Sequence, residues 1–446
     1  MDSVDLLIHA RWVAPVEPDH ALHEHHAVAI RDGRILALLP SAEARNRFNA
    51  RETVELAEHI LIPGLINAHT HAAMSLLRGL ADDLPLMDWL QKHIWPVEGR
   101  WVSPEYVRDG SELAIAEMLR GGITCFQDMY FFPDATAETA RRLGIRASLG
   151  MIVVDFPSAW ASDAQDYLRK GIALRDRHKD DPLLSFAFAP HAPYTVSESA
   201  LREIRTLADE LDVPVQIHLH ETRDEIEQSL KQFGKRPLAR LQELGLLTPN
   251  LMAVHMTQLD EEEISLLAET GAHVIHCPES NLKLASGFCP VAKLMRAGIN
   301  VALGTDGAAS NNDFDMLGEL RTASLLAKGV AGDATALPAF DALRMATLNG
   351  ARALGLDREI GSLTPGKWAD ITAVNLAHLE CQPMYNPLSQ LIYAAGRQHV
   401  SDVWVAGAQL LRSGVLTRMD ETALCEKVAH WQARISTGLG GSETAA

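Results

Sequence analysis

Short apolar runs recur through the middle of the chain, at residues 60–66, 123–127, 145–154, 184–189, 213–220, 251–255, 272–277 and 299–304. Between them lie stretches such as 103–120, 197–211, 260–270 and 290–297, which open on helix-start residues and space their apolar positions near 3.6. A short apolar run followed by an amphipathic stretch is one βα unit, and eight such runs occupy residues 61–360. That number predicts an α/β fold, a (β/α)8 TIM-type barrel. An open doubly wound sheet would place Gly-x-Gly-x-x-Gly after its first strand, and none follows here.

Both ends of the chain follow a different pattern. Residues 5–13 and 27–39 alternate like strands, the second folded around Asp32-Gly33, a pair suited to the positive φ angles of a hairpin turn. The signal returns at 370–375 and 403–411. We therefore expect a small β-sandwich domain composed of residues 1–60 and 361–446, with the barrel at 61–360 as the catalytic unit.

Composition narrows the function classes. The 446 residues carry 40 basic and 58 acidic side chains, a formal charge of -18. Polyanion-binding surfaces gather Lys and Arg, and the chain has no basic run, so neither nucleic acid nor a membrane is an expected partner. Cys125, Cys277, Cys289, Cys381 and Cys425 are scattered without a Cys-x-x-Cys pair, which argues against a disulfide framework and a thiolate zinc site. The first five residues carry acid where a signal peptide carries base, and no apolar run approaches the roughly 18 residues of a membrane span. The expected location is the cytoplasm.

The apolar runs end in polar residues, and the C-terminal ends of barrel strands are where this architecture collects its chemistry. In Asn67-Ala-His69-Thr-His71 two imidazoles two residues apart share one face of an extended chain and can address one ion. Taken alone, two hydrogen-bonded strand-end histidines would account for the pair. Three more strand ends change the picture: Gln216-Ile-His218-Leu-His220-Glu221, Ala253-Val-His255 and Leu303-Gly-Thr-Asp306. Zinc favours imidazole nitrogen with an occasional carboxylate, and a catalytic site keeps a position for water. Three His and one Asp meet that need.

The set Pro63-Gly-Leu-Ile-Asn-Ala-His69-Thr-His71, His218, His255 and Gly304-Thr-Asp306-Gly, in this order, resembles the amidohydrolase superfamily over essentially the whole chain. The resemblance implies one zinc ion per subunit, another divalent ion being the alternative, held by His69, His71, His218 and Asp306. It also implies His255 as a hydrogen-bonding partner of the reactive water. Members with two metals bridge them through a carboxylated lysine on the fourth strand. Residues 183–190, Leu-Leu-Ser-Phe-Ala-Phe-Ala-Pro, contain no lysine, so a single ion is expected. His220 shares a face with His218 but has no counterpart in the resemblance, and is assigned to packing.

Zinc makes a water nucleophilic at neutral pH, and attack on C6 of a purine also requires a proton at the ring nitrogen and at the leaving amine. Glu221, beside the metal strand and not a ligand, suits that task, with Asp306 and His255 taking the water's proton. Its plainer alternative is a helix-start cap before residues 222–232. Three further stretches are similar to the methylthioadenosine/S-adenosylhomocysteine deaminases. They are Ser75-Leu-Leu-Arg-Gly-Leu-Ala-Asp-Asp-Leu-Pro-Leu-Met-Asp-Trp-Leu90 with Ile94-Trp-Pro-Val-Glu98, then Ala189-Pro-His-Ala-Pro-Tyr194, and the span from Cys277-Pro-Glu-Ser-Asn281 to Ser310-Asn-Asn-Asp-Phe-Asp-Met316.

This closer resemblance implies a purine nucleoside substrate bound by Glu98 at the ribose hydroxyls and by His191 at the base, alongside Glu221 and Asp306. Alone, Glu98 would be a solvated loop acid and His191 a satisfied strand-end histidine. S-adenosylhomocysteine ends in a carboxylate and an ammonium, which need charged partners. Residues 151–168 hold no Lys or Arg and offer Met151, Phe156 and Trp160, so 5′-methylthioadenosine is expected ahead of S-adenosylhomocysteine and adenosine.

Related families would use the same metal set on a free base or a triazine, as guanine or cytosine deaminases or chlorohydrolases. A barrel that only binds nucleosides is a third possibility. Glu98 separates the first, because a substrate without ribose gives that carboxylate nothing to chelate, and the intact ligands with Glu221 oppose the last. A homo-oligomer is a family-level implication. His20, His23, His25 and His26 fit a solvated turn. Trp89, Trp95 and Trp101 fit packing, and Asp128, Met129 and Tyr130 border the pocket with no assigned role.

Overall fold

The protein was analysed as a computed structural model that describes residues 1–440. Its first four strands are β1 (Asp2–Val13), β2 (His23–Arg31), β3 (Arg34–Pro40) and β4 (Phe48–Pro63). β1 pairs antiparallel with β2 and parallel with β4. Asp32 and Gly33 turn the β2–β3 hairpin at φ 52° and 73°, the left-handed pair that Asp-Gly tolerates.

The apolar run at 60–66 is two strands. Its first part finishes β4, and the chain then steps at Gly64 into the barrel. A Cβ on Gly64 would lie 2.0 Å from Thr124 Oγ1, so only glycine allows the approach. Eight parallel strands follow: β5 (Leu65–Thr70), β6 (Ile123–Asp128), β7 (Arg146–Val153), β8 (Leu184–Pro190), β9 (Val215–Leu219), β10 (Leu251–His255), β11 (His273–His276) and β12 (Val301–Leu303). β5, β6 and β7 are buried along their whole length, as strands covered on both faces must be. The circle closes between first and last by a parallel bridge of Thr70 with Asp306, and the Asp306 amide donates to the His69 carbonyl at 3.0 Å.

The chain then returns through β13 (Ile371–Asn375), β14 (Val400–Val405), β15 (Ala408–Arg412) and β16 (Val415–Leu416). β13 lies antiparallel against β4, which joins both ends into one mixed sheet in the order β16-β15-β14-β13-β4-β1-β2-β3. This sheet is hydrogen-bonded continuously. The strand-like stretch at 403–411 is broken by a second left-handed turn, Ala406 and Gly407 at φ 46° and 77°.

Local capping fixes the helices that matter for the cavity. Ser103 caps helix Pro104–Arg120 by accepting the Tyr106 amide. Thr222, rather than Glu221, caps helix Arg223–Phe233 by accepting the Glu225 amide, which leaves the Glu221 side chain free of that duty. Between β5 and helix Pro104–Arg120 an insertion carries a 3-10 turn, Ala72–Leu77, and the short helices Leu86–Trp89 and Trp95–Trp101. Among the described residues no helix is long and apolar enough to cross a membrane.

Candidate active site

The strand ends bring His69, His71, His218 and Asp306 together, with one donor atom of each within 4.8 Å of the others. His69 Nε2 lies 3.1 Å from His218 Nε2 and 3.4 Å from Asp306 Oδ1, while His71 Nε2 lies 3.1 Å from the same carboxylate oxygen. All three rings are oriented by acceptors behind them: His69 Nδ1 bonds Gln216 Oε1 at 2.9 Å, His71 Nδ1 the Met129 carbonyl at 2.6 Å, and His218 Nδ1 the His191 carbonyl at 2.7 Å. An acceptor at Nδ1 places the proton there and turns the Nε2 lone pair inward.

That geometry tests the fit to a metal. Two inward lone pairs at 3.1 Å, with a carboxylate oxygen beside them, repel one another unless a cation lies between them. Three imidazoles and one carboxylate are a donor set that zinc accepts. Asp306 presents Oδ1 alone, since Oδ2 accepts the Ser280 and Ser310 hydroxyls at 2.7 and 2.9 Å. Its backbone sits in the left-handed region at φ 64°, as does that of His255 at 76°, a strain found where side chains must be aimed.

His255 stacks 5.4 Å from the His218 ring, its Nδ1 held by Asn281 Oδ1 at 2.9 Å. Glu221 Oε2 lies 3.8 Å from His255 Nε2. Burial pushes the Glu221 carboxyl up to about 8, with the Asp306 charge adding to the effect and the Ser286 hydroxyl opposing it. A carboxyl so placed holds a proton at neutral pH. The neighbouring Glu225 fixes this corner, its two oxygens accepting the His220 and Glu221 amides at 3.0 and 2.7 Å. His220 stands outside the metal group, where its Nε2 accepts the Leu238 amide at 3.0 Å.

A cavity of about 240 Å³ opens above this cluster. Glu98, from helix Trp95–Trp101, lies in its wall, buried, with Oε1 accepting the Tyr130 hydroxyl at 2.6 Å. Burial raises its carboxyl to about 7, against the Tyr130 hydrogen bond, which favours the charged form. His191 lines the same space, its Nδ1 at 2.9 Å from Thr195 Oγ1, and burial lowers its ring to about 3, so the imidazole is neutral. Further out the wall is apolar, with Trp89, Trp95, Val154, Phe156, Pro157 and Leu284. Among the described lining residues there is no Lys or Arg.

Of the site residues expected from sequence, His71, Glu98, His191, His218, Glu221, His255 and Asp306 line this cavity, while His69 is buried within the metal group; of the residues offered for the 5′ group Phe156 lines it and Met151 and Trp160 do not. Trp89 and Trp95, assigned to packing, also border it, whereas Trp101 stacks under the guanidinium of Arg434. Tyr130 and Gln216 were missed as partners. Gln216 could have been found from its period-two spacing to His218, which puts both on one strand face. Tyr130 could not, because its link to Glu98 spans 32 positions.

Residues 60–410 match the amidohydrolase family. The chain is 52% identical to 5-methylthioadenosine/S-adenosylhomocysteine deaminase of Teredinibacter turnerae, over 97% of this chain and 98% of that protein. It is 51% identical to the protein of the same name from Saccharophagus degradans, over 97% of each. A zinc-bound crystal structure of an adenosine deaminase from Xanthomonas campestris superposes with a TM-score of 0.97 at 56% identity, covering 98% of this chain and 99% of that one.

Proposed function

Because this chain belongs to the amidohydrolase family and is a zinc-dependent hydrolytic deaminase within it, we propose that 5′-methylthioadenosine is its preferred substrate, converted with water to 5′-methylthioinosine and ammonia. S-adenosylhomocysteine and adenosine are slower substrates. The support for this order is the cavity itself, in which a buried carboxylate stands apart from the metal group and no cation waits for a charged 5′ tail.

His69, His71, His218 and Asp306 would hold the zinc. When bound, zinc lowers the pKa of a water toward about 7, which supplies the nucleophile for C6. The other steps belong to the protein. Glu98, pinned at Oε1 by Tyr130, accepts the two ribose hydroxyls on its remaining lone pairs. His191, neutral, meets the base. Glu221, carrying its proton, donates it to the purine nitrogen next to C6, so that negative charge does not build on the ring. Asp306 and His255 take the proton that the water gives up; Glu221, now a carboxylate, takes the proton of the C6 hydroxyl and passes it to the departing amine, which leaves as ammonia as the C6 carbonyl forms, and the proton on Asp306 and His255 returns to Glu221.

Residues 1–60 with 361–446, of which 441–446 lie outside the described residues, act as one supporting unit and 61–360 as the catalytic one; the β4–β13 pairing supports the division, although residues 61–63 still belong to β4 and the chain enters the barrel only at Gly64. The five cysteines are free, which supports a reducing cytoplasm. Ammonia release and loss of the adenine absorbance, followed with 5′-methylthioadenosine in metal-stripped and zinc-restored enzyme, tests the assignment. Turnover that returns with zinc supports it. No turnover of any 5′-substituted adenosine with the metal group filled overturns it.

A further inference from the structure

A second set of metal-ligand side chains converges away from the cavity. His378 precedes the 3-10 turn Leu379–Cys381, Glu380 lies within it, and His399 ends the turn Arg397–His399 that leads into β14. One donor atom from each of the three lies within 4.8 Å of the others. His399 is buried and its Nε2 is 2.7 Å from Glu380 Oε1, while the His378 ring meets it edge-on with centroids 4.7 Å apart. His378 and Glu380 are exposed, so an ion can reach them.

The turn is held in place before any ion arrives. The Cys381 amide donates to the His378 carbonyl at 3.0 Å, and the Gln382 side-chain amide donates to the Leu376 carbonyl at 2.7 Å. The Ala377 amide donates to Asn375 Oδ1 at 2.9 Å. Ligands on a braced turn lose little entropy on binding. His399 Nδ1 has the Gly396 amide at 2.9 Å and the Gly396 carbonyl at 3.2 Å. The amide donates to Nδ1, so without an ion the ring's proton lies on Nε2 toward Glu380; an ion at Nε2 moves that proton to Nδ1, toward the Gly396 carbonyl, the arrangement in which a ligating histidine is oriented by a backbone acceptor. Close by on β4, His59 adds a half-buried imidazole whose buried Nδ1 has no hydrogen-bond partner.

This cluster stands at the other end of the barrel from the catalytic group. Val400, the residue after His399, packs at Gly122, just ahead of the N-terminal end of β6, whereas the catalytic side chains leave the C-terminal strand ends. An ion here cannot touch the substrate.

We propose that His378, Glu380 and His399 bind a second divalent transition-metal ion, of the zinc class, which staples the loop after β13 to the start of β14. Two imidazoles and one carboxylate leave the ion a net positive charge and open positions for water. Binding requires neutral rings and takes the place of the His399 Nε2 proton. Without an ion His399 Nε2 donates to Glu380 Oε1 at 2.7 Å.

The test uses full-length holoenzyme with its catalytic ion retained. After equilibration with Co²⁺ and removal of free ion, total metal and visible cobalt absorption are read. Two ions per chain are expected, the second lost in both His378→Ala and Glu380→Gln, with kcat/KM for 5′-methylthioadenosine unchanged. The variants alter exposed side chains, which leaves the buried His399 in place to preserve the fold. Metal content that stays at one ion per chain overturns the proposal and leaves only the His399–Glu380 hydrogen bond. So does a second ion that persists undiminished in both variants.

Discussion

The floor of the cavity and its outer wall differ in how their side chains are held. On the floor each metal-facing atom has a fixed partner behind it: Gln216, the Met129 and His191 carbonyls, Ser280 and Ser310. On the wall Phe156 is 43% exposed, and its neighbours Trp95 and Pro157 contribute shape without hydrogen bonds to anything in the cavity. Glu98 lies between the two, one oxygen pinned and the other open. In the proposed reading the chemistry resides in preorganised groups, whereas the choice of 5′ substituent rests on solvation and contact area, where single contacts count for less.

The floor should respond most strongly. Glu221→Gln removes the proton donor while leaving the zinc ligands intact, and the expected loss in kcat is about 10³-fold or more, read as ammonia release with metal content confirmed. Near-normal turnover would place the proton transfer elsewhere. Glu98→Gln comes next. Two hydrogen bonds to a charged group, at roughly 1.5 to 3 kcal/mol each, make a fall of about 10²-fold or more in kcat/KM for 5′-methylthioadenosine. A 2′,3′-dideoxy analogue should show no such fall, and an equal loss for both nucleosides would remove the diol from the account.

On the wall, Phe156→Arg gives a homocysteine carboxylate the partner it lacks. The ratio of kcat/KM for S-adenosylhomocysteine over 5′-methylthioadenosine should rise by about tenfold, the equivalent of 1.4 kcal/mol. An unchanged ratio would put the 5′ group against another part of the cavity. The smallest effect should come from Tyr130→Phe, with about 1 kcal/mol lost and KM raised roughly fivefold.

Tyr130→Phe also has a pH signature. With Glu98 in the proposed role, binding the diol in its ionised form, and its carboxyl raised to about 7, the affinity for the nucleoside should improve as pH rises through that value. The Tyr130 hydrogen bond stabilises the ionised form, so removing it should move the midpoint to higher pH. A change in KM without a shift of the midpoint would reduce Tyr130 to packing.

The parts of this molecule legible in sequence are those written at short range. His69 and His71, or Gln216 and His218, are two positions apart on strands, so their common face follows from the period of the chain. The eight βα units follow equally from local pattern. The boundary at Gly64 was hidden, because the run at 60–66 is apolar throughout and only the contact with Thr124 divides it. The assignment of the helix cap to Thr222 instead of Glu221 depended on one residue of register. Tyr130 braces Glu98 only because helix Trp95–Trp101 folds over the mouth of the barrel, and nothing in the spacing of the two residues signals it. The cluster of His378, Glu380 and His399 likewise exists only once β13 and β14 are paired.

The central claim is that a zinc-bearing floor deaminates an adenosine whose 5′ group an uncharged wall selects. Its most direct test is kcat/KM for 5′-methylthioadenosine and S-adenosylhomocysteine, competed in one tube with the zinc-loaded enzyme. The account predicts that 5′-methylthioadenosine is consumed first, with release of ammonia. Preferential consumption of S-adenosylhomocysteine would contradict it.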